Sequence, residues 1–378
     1  MKVVIAIDKF KGSASSLQLS QVIGREIARR CPTVHVVSVP IADGGDGTMR
    51  CIKDVVGGKA VTRHVSVSAP LHHLPPVDAQ YIAHGDTAYM DLATASGLEL
   101  VPDGCRDVMM ASTFGTGEMI LHAIAHGAKH IVLGVGGSAT CDSATGLLAA
   151  LGFKFLDKSE NELLPCGENL IKISSINSDN VDARVYNAQF TLLSDVDNPL
   201  YGINGAAYVF APQKGASPQQ VIQLDRGLRH FAALLPHHVA QQPGAGAAGG
   251  VAAGMLAMLN VTIKSGIDTL LEMSHFDDII GDAQLVITGE GRIDNQTLHG
   301  KAPAGVLKAA QRKGVPVIAL CGSIAPGTDT AKMGFKQVVA VTPPEMPLRQ
   351  AMNTDTTLHN VATAIRSIIP LLDAGKRN

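Results

Sequence analysis

Charged residues follow a glycine-rich segment in the last third of the chain, where they could bind an anionic ligand. The apolar run at residues 285–287 leads into TGEGRIDNQTLHGK, which ends at Lys301. Such a β-branched run predicts a buried parallel strand, and we expect it to end at the glycines. Gly289 and Gly291 would turn the backbone at positive φ and let it approach a ligand. Ligands of open α/β sheets bind beyond the carboxyl ends of the strands, so this segment is the first candidate site.

Five more segments place charged or hydroxyl side chains after an apolar run or at a turn, and four of them also contain glycine. The five are DKFKGS, ADGGDGT, GVGGSAT, SDVDNP and APQKG. Their carboxylates suit Mg²⁺ or a substrate hydroxyl, and their lysines and glycine turns suit phosphate oxygens. Any one of them could equally be an ordinary turn or a helix cap. Six in one chain favour phosphoryl transfer, which requires acids, cations and glycine turns.

One further glycine run has the spacing of a dinucleotide-binding fingerprint. Residues 244–249 read GAGAAG, but PHHVAQQP precedes them instead of a strand. Because the fingerprint needs a strand before it, we predict no nicotinamide site here. Close backbone approach to a phosphate, or tight helix packing, explains these glycines better. The chain contains neither a Walker A motif nor the protein-kinase signature residues.

The composition excludes several classes of partner. The net charge of −2 predicts no attraction to nucleic acid or to anionic membranes. The apolar run at residues 3–7 is too short for a signal peptide, and the run at 245–259 is shorter than the roughly 20 residues that span a bilayer. Six scattered cysteines without a CxxC pair predict free thiols in a reducing cytoplasm.

Apolar runs that alternate with helical patterns predict an α/β fold with a Rossmann-like, doubly wound parallel sheet. The expected parallel strands are residues 3–7, 34–39, 131–135, 285–288, 315–320 and 338–341, and the expected helices include 17–28, 118–125, 144–151 and 302–310. Residues 61–100 and 153–275 do not follow this pattern, which indicates a second, inserted α/β domain. We therefore assign 1–60, 111–152 and 276–378 to the first domain, and 61–110 and 153–275 to the second. A cleft between two domains is a usual place for a small-molecule site.

Read together, the motifs resemble those of the first type of bacterial glycerate kinase. They are DKFKGS, ADGGDGT, GGSATCDSATG, SDVDNPLYG, APQKGA, PGAGAAGG and TGEGRIDNQTLHGK, in that order and over nearly the whole chain. The resemblance implies ATP-dependent phosphorylation of D-glycerate to 2-phosphoglycerate, with the site between two α/β domains. Phosphorylation at the 3-position, or of a related aldonic acid, is the alternative.

Four positions depart from the family pattern. Lys9 stands where serine is frequent, Phe114 where arginine is frequent, and Cys141 and Ser143 where asparagine and glycine are frequent. If an arginine at the position of Phe114 holds the substrate carboxylate in the family, Lys9 or Arg292 must do so here.

The chemistry of phosphoryl transfer gives each candidate residue a role, since this reaction requires mainly positioning and charge neutralisation. Asp195 is the first candidate for the base and Asp43 the alternative, while Lys11 would neutralise the transferring group. Asp197 or Asp294 would hold Mg²⁺, largely through water. The ATP phosphates would contact Gly136, Gly137, Ser138, Gly289, Glu290 and Gly291, and the substrate would contact Lys9, Arg292, Asp294 and His299.

Two other classes of protein fit the sequence less well. A nicotinamide-dependent oxidoreductase needs a fingerprint after a strand, which this chain lacks. A sensor that closes on a small acid does not need so many carboxylates beside glycine turns.

Overall fold

The chain forms two compact units, one inserted into the other. The computed structural model describes residues 1–374 apart from 43, 46, 296, 299 and 300, with only the backbone for 370–374. Unit 1 comprises Met1–Asp43 and Ile267–Asn378, and unit 2 comprises Gly44–Gly266. The α/β architecture with a second, inserted domain is therefore as the sequence predicts.

The strands, numbered along the chain, are β1 (Lys2–Ile5), β2 (His35–Ser38), β3 (Val61–Val67), β4 (Val77–His84), β5 (Thr87–Asp91), β6 (His130–Gly134), β7 (Lys154–Leu156), β8 (Ser175–Asn177), β9 (Gln189–Leu193), β10 (Val261–Lys264), β11 (Leu285–Ile293), β12 (Val317–Ile324) and β13 (Gln337–Ala340).

The α-helices are α1 (Ser16–Arg30), α2 (Thr48–Val56), α3 (Ala93–Ser96), α4 (Phe114–Ala125), α5 (Thr145–Ala150), α6 (Ala183–Asn187), α7 (Ala206–Phe210), α8 (Pro218–Ala232), α9 (Ala247–Met258), α10 (Gly266–Met273), α11 (Phe276–Ile279), α12 (Ala302–Arg312), α13 (Leu348–Ala351) and α14 (Thr354–Ala374). Short 3-10 helices cover Gly57–Lys59, Leu98–Leu100, Gly167–Lys172, Pro212–Lys214 and Thr330–Met333.

Unit 1 is a doubly wound sheet with the strand order β13-β12-β11-β1-β2, in which every neighbouring pair is parallel. The apolar side chains of β1 alternate between two cores. Val3 and Ile5 pack with α1 and α14, whereas Val4 packs with α12 on the opposite face. From β1 the next strand, β2, lies on one side, whereas β11, β12 and β13 follow one another on the other side, so the strand order reverses between β1 and β11. Ligands of doubly wound sheets bind beyond the carboxyl ends at such a point.

The predicted elements largely form. All six expected parallel strands are present as β1, β2, β6, β11, β12 and β13, and the expected helices correspond to α1, α4, α5 and α12. The serine-rich segment before α1 acts as predicted, since Ser15 is the N-cap and forms a capping box with Gln18. The prediction of free thiols is also confirmed for all six cysteines.

The predicted end of β11 is wrong. The strand continues through the Gly-Glu-Gly segment to Ile293, and Gly289 pairs with Leu320 of β12 in the same ladder. Neither Gly289 nor Gly291 has a positive φ. Gly289 instead permits close packing, because a Cβ there would clash with the Leu320 carbonyl oxygen.

Unit 2 contains a six-stranded sheet in the order β10-β9-β6-β5-β4-β3. The strands β5, β6, β9 and β10 are mutually parallel, while β3 and β4 add an antiparallel edge. The carboxyl ends of four parallel strands therefore meet at one edge of this sheet.

The division into units differs from the expected domain boundaries. Residues 44–60 and 111–152 lie in unit 2, and residues 267–275 lie in unit 1. The reason is the pairing of β6, which lies between β5 and β9 and not in the sheet of unit 1. No helix that the structure describes is long and apolar enough to cross a membrane.

The packing of Gly289 gives a first prediction. Gly289→Ala should lower the free energy of unfolding by about 2 kcal/mol or more, because the added methyl group forces β11 and β12 apart. Gly291→Ala is the matched control, since the nearest atom to its added Cβ would be the Lys11 nitrogen at 3.4 Å. Urea unfolding measures both variants. Equal stability of the two would contradict the packing role of Gly289.

Candidate functional site

In unit 1, acidic residues lie where the strand order reverses. Asp8 follows β1 and is only 7% exposed, and its backbone N–H donates to the carbonyl oxygen of Gly289 on β11. The Asp8 carboxylate accepts the N–H of Lys9 at 2.7 Å. Asp8 was not among the predicted site residues, although it directly follows an apolar run.

Glu290 and Asp294 share one lysine in this part of unit 1. The Lys301 ammonium lies 3.6 Å from Glu290 Oε2 and 3.4 Å from Asp294 Oδ1. The buried Thr297 hydroxyl donates to Glu290 Oε1 at 2.7 Å. Burial raises the pKa of Glu290 above its usual value and the nearby Asp294 charge adds to this, while Thr297 and Lys301 act in the opposite direction.

The remaining unit 1 candidates are more open to solvent. Lys11 and Arg292 are exposed, and neither side chain forms an ion pair with another described residue. Lys9 and Gly291 are half-buried, and Gly289 is fully buried within the sheet. Of the two unit 1 glycines expected to contact phosphates, only Gly291 is partly accessible.

In unit 2, the loops at the carboxyl edge of the six-stranded sheet pack against one another. Gly44 has a φ of +79°, and a Cβ there would lie 3.0 Å from the carbonyl oxygen of Leu193, at the end of β9. A Cβ at Gly134, at the end of β6, would lie 2.9 Å from the Gly44 carbonyl oxygen and 2.8 Å from Asp91 Oδ1. Glycine at these positions lets three loops approach one another closely.

Asp91 anchors the segment after Gly44. It is the last residue of β5 and is 3% exposed. Its Oδ2 accepts the N–H of Gly47 at 3.1 Å, and its Oδ1 accepts the N–H of Met49 at 3.2 Å. These donors belong to the start of α2, where backbone N–H groups lack helical partners. Asp91 was not among the predicted site residues, because an acid in a strand carries no signal of which loop it will contact.

The Gly136–Gly137 turn follows β6 at the same edge. Gly137 is exposed with a φ of 75°, Gly136 is half-buried, and Ser138 is 5% exposed. Lys214 reaches this segment from the 3-10 helix Pro212–Lys214. Its ammonium donates to Ser138 Oγ at 2.7 Å and to the Thr140 carbonyl oxygen at 2.6 Å.

Lys214 is therefore buried and not a solvated turn residue, with only 4% exposure. Burial lowers its pKa from the usual value of 10.5 to about 8, although the Cys141 and Asp142 charges act in the opposite direction. Burial likewise raises the pKa of the neighbouring Cys141 thiol to about 12.

Asp142, in the loop after β6, forms hydrogen bonds with the residue that precedes α4. Its Oδ2 accepts the N–H and the hydroxyl of Thr113, both at 2.8 Å, and the N–H of Gly146 at 3.2 Å. Burial raises the pKa of Asp142 despite these hydrogen bonds. Ser143 follows with a φ of 49°, a left-handed conformation that is uncommon for residues other than glycine.

The glycines of residues 244–254 serve packing. They follow no strand, as predicted, and a Cβ at Gly246, Gly249 or Gly254 would clash with a backbone oxygen of Pro199, Thr140 or Ser143, respectively. This segment thus packs closely against the loops after β6 and β9, which agrees with the packing interpretation.

The two acids of the SDVDNP segment differ in environment. Asp195 is half-buried, and its Oδ1 accepts the N–H of Gly266, the first residue of α10, at 3.0 Å. Asp197 is exposed, and its carboxylate has no hydrogen bond or ion pair to another described residue. No group of three or more His, Cys, Asp or Glu side chains within the described residues is arranged to hold a metal ion.

The structure thus divides the predicted site residues into two sets. Unit 1 carries Lys9, Lys11, Gly289, Glu290, Gly291, Arg292 and Asp294, and unit 2 carries Gly136, Gly137, Ser138, Asp195 and Asp197. Asp43 and His299 lie outside the described residues.

The role of Asp91 can be tested by removing its charge. Asp91→Asn should lower the free energy of unfolding by about 1–3 kcal/mol. Both carboxylate oxygens of Asp91 accept a backbone N–H, and in asparagine one of these oxygens is replaced by an NH₂ group, which cannot accept. Asp86→Asn is the matched control, because Asp86 is exposed at the opposite end of β5. Urea unfolding of both proteins measures the effect. A stability of Asp91→Asn equal to that of the control would show that Asp91 does not anchor α2.

Comparison with known proteins agrees with the motif resemblance. The profile of the glycerate kinase family matches residues 3–372. Glycerate kinase of Bacillus cereus is 40% identical over 96% of this chain and 97% of its own, and glycerate 2-kinase of Escherichia coli K12 is 39% identical over 100% of both chains. A crystal structure from Salmonella typhimurium LT2, described as glycerate kinase 2, has a TM-score of 0.81 and 36% identity over 100% of both chains. The chain therefore belongs to the glycerate kinase family.

Proposed function

We propose that this chain transfers the γ-phosphoryl group of ATP to the 2-hydroxyl group of D-glycerate, releasing ADP and 2-phosphoglycerate. The observation that carries the proposal is the full-length similarity to glycerate kinases, one of which is named a glycerate 2-kinase. The acids, lysines and glycine turns at the carboxyl edges of both sheets supply the groups that this reaction requires. Its free thiols fit a reducing compartment, and we propose the cytoplasm as the location.

We assign the ATP phosphates to the Gly136–Gly137 turn and Ser138. The turn is accessible at the carboxyl end of a parallel strand, and its backbone is fixed by the buried contacts of Ser138 with Lys214. Gly289 contributes indirectly, because it lies inside the sheet, whereas Gly291 and Glu290 remain candidates for direct contact.

We assign the substrate carboxylate to Arg292, with Lys9 as a second cation. Arg292 is exposed without an ion pair to a described residue, so its guanidinium is free to form a bidentate contact with a carboxylate. Lys11 is equally exposed and supplies the positive charge that a transferring phosphoryl group needs.

We assign the role of base to Asp195 and keep Asp43 as the alternative. The hydrogen bond from Gly266 orients the Asp195 carboxylate, and Asp195 is half-buried just after the end of β9. A base must be held in a fixed position to accept the hydroxyl proton as the new bond forms.

Asp197 fits Mg²⁺ better than Asp294 does. Mg²⁺ bound to ATP needs only one or two carboxylates, since phosphates and water complete its shell. Asp197 is exposed and has no described partner, whereas Asp294 is shared with Lys301. Mg²⁺ there would neutralise phosphate charge during transfer.

The reaction can be tested by ADP release from ATP and Mg²⁺ with D-glycerate, with enolase added as the coupling enzyme and mutase omitted. ADP release with an enolase signal is the expected result, because enolase accepts only the 2-phosphorylated product. ADP release without that signal would indicate 3-phosphorylation. The absence of D-glycerate-dependent ADP release would contradict the proposal. Longer aldonic acids would then be tested as substrates.

The role of Asp195 predicts a selective loss of turnover. Asp195→Asn should reduce kcat by about 10²-fold or more, because asparagine still accepts the Gly266 N–H but cannot accept the substrate proton. The control is again Asp86→Asn, at the opposite edge of the same sheet, which should keep wild-type kcat. A kcat of Asp195→Asn within threefold of the control would remove Asp195 from this role.

A further inference from the structure

Lys214 contacts the segment that we assign to the ATP phosphates, although the two lie far apart in the sequence. It lies 76 residues after Ser138 along the chain, yet its ammonium donates to Ser138 Oγ at 2.7 Å and to the Thr140 carbonyl oxygen at 2.6 Å. The Lys214 residue is only 4% exposed to solvent. A lysine ammonium is rarely buried so completely, because its desolvation is costly without hydrogen-bond partners.

The direction of the hydrogen bond to Ser138 determines what the serine can do. An ammonium has only donors, so Ser138 Oγ must be the acceptor. The hydroxyl proton of Ser138 is then directed to another acceptor. The structure shows no acceptor for this proton among the residues that it describes. A hydroxyl that accepts from a cation is also polarised into a stronger donor.

The position of Ser138 indicates where that donor is used. Ser138 directly follows the exposed Gly137 and the half-buried Gly136, and all three lie beyond the carboxyl end of β6. A turn of this kind presents backbone N–H groups to an anion, and a serine hydroxyl adds one more donor.

We propose that Lys214 is a positioning residue for ATP, which directs the Ser138 hydroxyl proton toward an oxygen of the bound phosphates. The inference rests on the proposed function, since it takes ATP as the ligand of this turn. Two of the three N–H donors of the Lys214 ammonium are used within the protein, and the proposal has Lys214 act through Ser138 and not by its own contact with ATP. The simpler alternative is that Lys214 only stabilises the fold of the loop.

A double-mutant cycle separates these two roles. The variants are Ser138→Ala, Lys214→Met and the double variant, with Lys172→Met as the control for loss of an exposed lysine. The measurements are KM for ATP, KM for D-glycerate, kcat and the midpoint of thermal unfolding.

If Lys214 acts through Ser138, Ser138→Ala and Lys214→Met each raise KM for ATP about tenfold. The double variant then raises it no further than the worse single variant, because both changes remove the same donor. KM for D-glycerate stays within twofold, and the control keeps wild-type values. Effects on KM for ATP that multiply in the double variant, or an unchanged KM in Lys214→Met, would overturn the proposal.

If Lys214→Met does not fold, Ser138→Ala decides alone. A folded Ser138→Ala with wild-type KM for ATP would overturn the proposal, because the proposal requires Lys214 to act through the Ser138 hydroxyl. Wild-type enzyme without D-glycerate-dependent ADP release would instead contradict the proposed function. In that case, calorimetric binding of a non-hydrolysable ATP analogue to the same variants tests Lys214 by itself, with the same non-additivity expected.

Discussion

Two buried charges fix the loops at the carboxyl edge of the six-stranded sheet, and the candidate site in unit 2 depends on both. Lys214 binds Ser138 and Thr140 in the loop after β6, and Asp91 binds the N–H groups that begin α2. A buried charge is tolerated only when its hydrogen bonds are satisfied. Any movement of either loop would leave an ammonium or a carboxylate unpaired in the protein interior. The electrostatic constraint therefore makes the loop geometry rigid before a ligand arrives, as phosphoryl transfer requires.

Glycine provides the second constraint, and it acts mainly through close packing. Gly289 lets β11 approach the Leu320 carbonyl oxygen, and Gly249 lets α9 approach the carbonyl oxygen of Thr140. In both places a single methyl group would separate elements that carry candidate site residues. The glycine content of this chain thus reflects tight contacts between backbones as well as turns.

The sequence predicts which segments form strands and helices better than it predicts which strands pair. Continuous apolar runs identify the parallel strands correctly, since buried strands have this composition irrespective of their sheet. Periodicity does not reveal which strands pair, so the place of β6 between β5 and β9 could not be predicted. The continuation of β11 past Gly289 was missed for the same reason, because it depends on the register with β12.

The candidate site was predictable to a similar extent. Glycine turns and acids after strands located Gly136, Ser138 and Asp195 at a carboxyl edge, which general rules for α/β sheets anticipate. The burial of Lys214 and the anchoring role of Asp91 depend on contacts between residues more than 40 positions apart, and single residues carry no signal of them.

The most direct test of this account is a crystal structure of the protein with a non-hydrolysable ATP analogue, Mg²⁺ and D-glycerate. The account predicts a phosphate oxygen within hydrogen-bond distance of Ser138 Oγ, next to the Gly136–Gly137 turn, with the Lys214 ammonium still bound to Ser138. Phosphates bound away from this turn, with Ser138 Oγ donating to a protein group instead, would contradict it.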